Sequence, residues 1–148
     1  MRLALRLVLV LALVGGVAFT ADALVQTDEE RVATLVDGLQ GTVTDRRLDR
    51  ALRWVDLARQ PVALVGPDGV EWFEDAEDGG ALRERIRDAV GPYLGARARM
   101  IQRSVRVGGD DATLAVRVSI DGELADVQVR LRRQPDDDRW LVRRIRVL

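Results

Sequence analysis

The sequence predicts an α+β domain. Three N-terminal helices pack on an antiparallel sheet formed by a four-stranded C-terminal meander plus a short hairpin. Apolar residues in the first two thirds of the chain repeat at helical spacing, whereas the last third alternates apolar and polar residues in long runs. Gly108-Gly109 and Asp121-Gly122 separate those runs. Such dipeptides accept the positive φ that two-residue hairpin turns demand.

The first 23 residues stand apart. Arg2 and Arg6 precede the uncharged, mostly apolar run Leu7–Ala21, and Ala21-Asp22-Ala23 has the small-x-small pattern of a cleavage site. The run is short for a membrane span, which needs about 20 residues. Residues 1–23 are therefore expected to be an export signal, or an anchor if they stay uncleaved, with one folded domain over 24–148. Either outcome implies an exported location, periplasmic or extracellular. The membrane would be touched only through residues 1–23.

The helices follow in order. Thr27-Asp28-Glu29-Glu30 is a capping box, with Thr27 as N-cap and Glu30 reaching back. Val32, Leu35, Val36 and Leu39 then form one apolar stripe. A second helix is expected from Asp45, with Leu48, Leu52 and Val55 inward, ending near Gln60 because Pro61 disfavours helical geometry before it. Val62–Val65 and Val70–Phe73 flank Gly66-Pro67-Asp68-Gly69 and form the short hairpin. The acidic stretch Glu74–Asp78 is a solvated loop. It lacks the spaced oxygen ligands of an EF-hand, so no metal is expected there. A third helix over Ala81–Leu94 carries Leu82, Ile86, Ala89, Val90 and Tyr93 at helical spacing.

The meander is Arg97–Val107, Thr113–Ile120, Glu123–Arg133 and Arg139–Leu148. Its central strands are clean. Leu114, Val116, Val118 and Ile120 share one face, as do Ala125, Val127, Val129 and Leu131. The outer strands are mixed. Arg97, Arg99 and Arg103 interrupt the first. In the last, Trp140 and Val142 fall out of phase with Ile145 and Val147. Mixed faces suggest strands reaching beyond the helix layer, or a partner on the second face.

Composition narrows the chemistry. Net charge is −1, so no overall field argues for nucleic acid. The charge is unevenly spread, however. Residues 24–95 hold 15 acids and 9 arginines, and residues 96–148 hold 12 arginines and 8 acids. All 23 basic residues are Arg, and Cys and His are absent. Disulfides, thiol nucleophiles, imidazole bases and Schiff-base lysines are thereby excluded. Catalysis could rest only on Asp, Glu, Tyr, Ser, Thr or Arg.

The order of two helices, a hairpin, a third helix and a meander resembles the nuclear transport factor 2-like superfamily, with its polyketide-cyclase-like and ketosteroid-isomerase-like branches. The resemblance is carried by Asp28–Leu39, Asp45–Leu57, Gly79–Arg83 and Asp138–Val142, and it extends over about Asp28–Leu148. It implies a curved sheet wrapped round a helix as a cone, often with a pocket at the open end and often dimeric through the sheet. Isomerase-type members use an Asp base with Tyr and protonated Asp donors. Here no matching Asp falls at a pocket-lining strand position, and Asp126 lies on the polar face. No catalytic residue and no cofactor are therefore expected. An isomerase or dehydratase relying on acidic residues is the alternative, as is a structural module of an envelope complex. Trp54, Trp72, Phe73, Tyr93, Met100 and Trp140 are the candidates for lining a pocket that takes a small apolar ligand. Arg117, Arg130 and Arg132 are the candidates for a protein interface, including a homodimer through the outer sheet face.

Overall fold

The computed structural model describes residues 27–37 and 41–148, with side chains described for 27–32 and 41–148. The expected leader, and the side chains of Leu35, Val36 and Leu39, lie outside the described residues. No helix among the described residues is long and apolar enough to cross a membrane.

Helix α1 spans Asp28–Asp37 and starts with the expected capping box. The Thr27 amide donates to Glu30 Oε2 at 2.9 Å, and the Glu30 amide donates to Thr27 Oγ1 at 3.3 Å. Two orphan amides are thus satisfied reciprocally. A two-residue strand β1, Gly41–Thr42, leads to α2, Asp45–Ala51. The cap of α2 is Thr44, whose hydroxyl accepts from the Arg47 amide. The helix is also shorter than expected and tightens into a 3₁₀ turn over Leu52–Trp54. Leu48 and Ala51 are its buried residues.

Strands β2 (Val62–Gly66) and β3 (Gly69–Phe73) form the expected hairpin around Pro67-Asp68. The acidic stretch holds a 3₁₀ turn over Ala76–Asp78, capped by the Asp75 carboxylate on the Glu77 and Asp78 amides. Helix α3, Gly79–Val90, begins two residues earlier than the sequence pattern predicts, because that turn feeds directly into it. Leu82, Ile86, Ala89 and Val90 are buried. A 3₁₀ turn, Gly91–Tyr93, ends the segment where Pro92 cannot continue an α-helix.

The meander is β4 (Arg97–Gly108), β5 (Asp111–Ile120), β6 (Glu123–Arg133) and β7 (Trp140–Val147). Positive φ at Asp121 (49°) and Gly122 (88°) makes the β5–β6 connection the two-residue turn expected there. The β4–β5 turn is displaced by one residue, to Gly109-Asp110. The described residues form one seven-stranded sheet in the order β1-β4-β5-β6-β7-β2-β3. It is not wholly antiparallel, since β2 runs parallel to β7 with Leu64 beside Ile145. A parallel neighbour needs no hairpin between its strands, so turn chemistry could not reveal it.

Two bulges explain the mixed outer strands. The β4–β5 register shifts between Met100 and Gln102, leaving Ile101 as the extra residue. Across the shift the inner face passes from Ala98 and Met100 to Arg103, Val105 and Val107. The β6–β7 register shifts between Arg130 and Leu131, leaving Arg143 extra. Trp140 and Val142 before it therefore share a face with Ile145 and Val147 after it. The expectation of a second apolar face on these strands is corrected. A one-residue insertion reverses the alternation, and it also bends and twists the strand. Leu141 alone points the other way, beside Arg132, and is buried outside the main core.

The core lies on the inner face. Val32 of α1, Leu48 and Ala51 of α2, and the buried residues of α3 join Leu114–Ile120, Ala125–Leu131 and the inward residues of β7 in one cluster. Val129 lies at its centre, 2 % exposed, with Leu114 on one neighbouring strand and Ile145 on the other. Replacing it with Asp would bury a charge with no partner, costing several kcal/mol against a domain stability of about 5–15 kcal/mol. Val129→Asp is expected to yield no folded protein. A native-like circular dichroism melt from that variant would contradict the register.

Candidate functional site

The structure separates the residues marked in the sequence as pocket-lining. Phe73 and Trp140 are core residues, 5 % and 3 % exposed. Trp54, Tyr93 and Met100 are half-buried and pack against that core. Trp72 is on the opposite face of the sheet and 52 % exposed, because its cross-strand partner is the outward-facing Ala63. The six therefore do not form one pocket. Burial first, and then the nearby Glu123 carboxylate, raises the Tyr93 phenol above its ordinary value, so it stays neutral.

Trp140 has a different partner. The Arg133 guanidinium stacks over its ring, 5.2 Å from the centroid, a cation–π arrangement. Arg133 also bridges Asp28 at 3.1 Å and Asp138 at 3.4 Å, and donates to the Gly109 carbonyl at 3.1 Å. Asp110 lies 3.5 Å from its Nε, too poorly aligned for a hydrogen bond but close enough for charge attraction. This residue ties α1, the β4–β5 turn and the β6–β7 loop together. Its charges are mutually satisfied, which marks a structural hub.

A cleft of about 310 Å³ opens between the segment after α2 and the start of α3. Leu52, Val55, Leu57 and Leu82 supply apolar walls, and Asp56 and Arg83 supply charge. Gly79 and Gly80 also line it, and a Cβ at either would meet no atom within 4 Å. None of the expected pocket residues lines it.

The outer sheet face carries a group of arginines. Cross-strand register places Arg106, Thr113, Arg130, Arg144, Ala63 and Trp72 in one row from β4 to β3. The next row is Ser104, Ala115, Gln128, Arg146, Val65 and Val70. Arg132 lies beside the first row, opposite Leu141. Among the described residues Arg106, Arg130, Arg132, Arg144 and Arg146 make no ion pair. Arg130 and Arg144 are direct cross-strand partners, a like-charge pairing that disfavours the sheet. Arg144 and Arg146 were missed in the sequence because the bulge at Arg143 hides their phase. Arg130 and Arg132 stand on this face as the alternation predicts.

Arg117, the third arginine expected there, is already committed. Its Nε and Nη2 donate to Asp126 at 2.7 and 2.8 Å across the β5–β6 pair. The hydrogen bonds from Arg117 and its charge outweigh partial burial and hold the Asp126 carboxyl below its ordinary range. The inner positions of β5 and β6 contrast with this face. From Ala112 to Ile120 and from Ala125 to Leu131 they carry only aliphatic side chains. No group of three or more metal-ligating residues occurs among the described residues.

Comparison with known proteins now places the fold. No family model matches the sequence, and no curated protein matches it significantly. Solved structures do resemble it. A candidate ketosteroid isomerase from Parabacteroides distasonis superimposes with a TM-score of 0.57 and 16% identity, over 86% of this chain and 91% of that one. A second candidate ketosteroid isomerase, from Shewanella frigidimarina, gives 0.53 at 14% identity over 68% and 80%. A protein of unknown function with a cystatin-like fold from Nostoc punctiforme gives 0.53 at 14% identity over 70% and 77%. The chain has the cystatin-like, nuclear transport factor 2-like fold, as its order of elements suggested.

Two measurements test these placements. Iodide should quench Trp72 efficiently and Trp140 hardly at all, so Trp72→Phe is expected to remove most of the quenchable fluorescence. Unchanged quenching in that variant would put Trp72 elsewhere. The Arg117–Asp126 pair is roughly half exposed (side chains 46% and 42%), so its coupling should be about 0.2–1 kcal/mol in a double-mutant cycle with Arg117→Gln and Asp126→Asn. The folded carboxyl titrates lower than the unfolded one. Its contribution is therefore complete above the ordinary Asp value of about 3.9 and declines as pH falls from there through the folded pKa. A coupling that grows on acidification would contradict the assignment.

Proposed function

We propose that this chain is a non-catalytic binding domain that docks a partner through its outer sheet face. The observation that carries the reading is the group of five arginines that make no ion pair among the described residues, Arg106, Arg130, Arg132, Arg144 and Arg146, set by register on one face. A sheet gains nothing for its own stability from Arg130 opposite Arg144. An external counter-charge accounts for the arrangement. The aliphatic inner stretches of β5 and β6, from Ala112 to Ile120 and from Ala125 to Leu131, support the non-catalytic half of the reading, because proton transfer at a bound substrate needs a positioned acid or base.

The domain is proposed to work outside the cytoplasm, on the strength of Arg2, Arg6 and the apolar run Leu7–Ala21. A symmetric dimer centred on the arginine rows would set guanidinium against guanidinium, since a two-fold interface places one patch on itself. The partner proposed is therefore a different molecule. A second reading, a small ligand in the cleft beside Gly79 and Gly80, draws on its volume of about 310 Å³. That is at the lower end of ligand pockets, about 300–1,000 Å³.

Photo-crosslinking in the native host separates the two. A photoreactive residue at Gln128, in the middle of the outer face, is expected to give a discrete macromolecular adduct, and one at Glu84 on the wet side of α3 is not. Adducts from Ala58 in the cleft, with none from Gln128, would favour the second reading.

A further inference from the structure

We infer that the partner is an acidic polypeptide surface with an apolar residue beside its carboxylates. The inference rests on the outer-face reading and adds the chemistry of what docks there. Four of the unpaired arginines, Arg130 and Arg132 on β6 with Arg144 and Arg146 on β7, occupy neighbouring strands. Strands lie about 4.8 Å apart, so guanidinium groups on adjacent strands fall within reach of a single carboxylate.

The face itself shows how a carboxylate is held there. Asp126 accepts both bonds of the Arg117 fork, at 2.7 and 2.8 Å, across one strand spacing. Arg130 and Arg144 present the same fork one strand over with no acid opposite. Planar bidentate recognition favours Arg for carboxylates. The nearby acids do not compete. Asp126 is taken by Arg117, and Asp111 is taken by Arg143 at 3.3 Å.

The apolar end of the rows makes the partner a protein. Trp72 and Val70, 52% and 53% exposed, lie on the same face one strand beyond Ala63 and Val65. Arg and Trp are the residues enriched at the anchoring points of protein interfaces. A nucleic acid would call for aromatic residues interleaved with the arginines, to stack on bases. Here the aromatic stands at the edge of the rows, two strands from Arg144. An apolar side chain of the partner covering Trp72, with its carboxylates over Arg130 and Arg144, satisfies both ends at once.

The test uses the full chain at low salt with labelled poly-L-glutamate and the copolymer poly(Glu,Tyr), followed by fluorescence anisotropy. Both polymers are expected to bind, and the double variant Arg130→Gln/Arg144→Gln to bind about tenfold more weakly, a loss of about 1.4 kcal/mol. Arg46→Gln/Arg53→Gln, away from this face, should bind as the parent does. The copolymer should bind more tightly than poly-L-glutamate, and Trp72→Ala should remove that difference while leaving poly-L-glutamate binding intact. Equal binding by the double variant overturns the inference. Tighter, Arg130- and Arg144-dependent binding to a DNA duplex, or to phosphatidylcholine vesicles containing phosphatidylglycerol, overturns the polypeptide and leaves the docking face standing. Binding to none of these probes overturns both. Sedimentation that shows a dimer lost on Arg144→Gln also overturns the inference, in favour of a second copy.

Discussion

The need to keep one aliphatic face continuous across the sheet governs the structure. The inner residues of β5 and β6 form an unbroken aliphatic surface, and they set the alternation that their neighbours must match. A one-residue slip turns every side chain over. β4 and β7 each contain such a slip, and in each a bulge absorbs it, at Ile101 and at Arg143. Without the second bulge, either Trp140 and Val142 or Ile145 and Val147 would point at solvent. The bulges also bend the outer strands, so the device that preserves the core face curves the sheet around its helices.

The same constraint makes the two faces chemically unlike. The apolar residues of the helices and of the inner strand positions gather in one cluster between helices and sheet. Arg130 and Arg132 of β6 and Arg144 and Arg146 of β7 are left on the other side, where the turn chemistry and the core impose nothing on them. Arg117 finds Asp126, and Arg133 finds a ring of acids and an aromatic face. Arg130, Arg132, Arg144 and Arg146 are arranged by register alone.

Much of the architecture was legible in residue patterns. The Thr27–Glu30 box, the Pro67-Asp68 hairpin, the Asp121-Gly122 turn and the central strands depend on chemistry within a few residues, and the structure follows them. The candidate site was less legible. Trp54, Trp72, Phe73, Tyr93, Met100 and Trp140 are grouped by being aromatic or soft, a property that says nothing about which face each occupies. Trp72 is outward only because it pairs with Ala63, and that depends on β2 joining β7.

By itself, then, the sequence determined the element types, the aliphatic face of β5 and β6, and the exclusion of thiol, imidazole and amine chemistry, because these follow from local spacing and from which residue types are present. Tertiary structure alone decided the rest. The parallel β2–β7 pairing joins residues about eighty positions apart, and no local signal specifies such a contact. The bulge at Arg143 is a property of two strands together, and it brings Arg144 beside Arg130. The open arginine face exists only once those long-range registers are set.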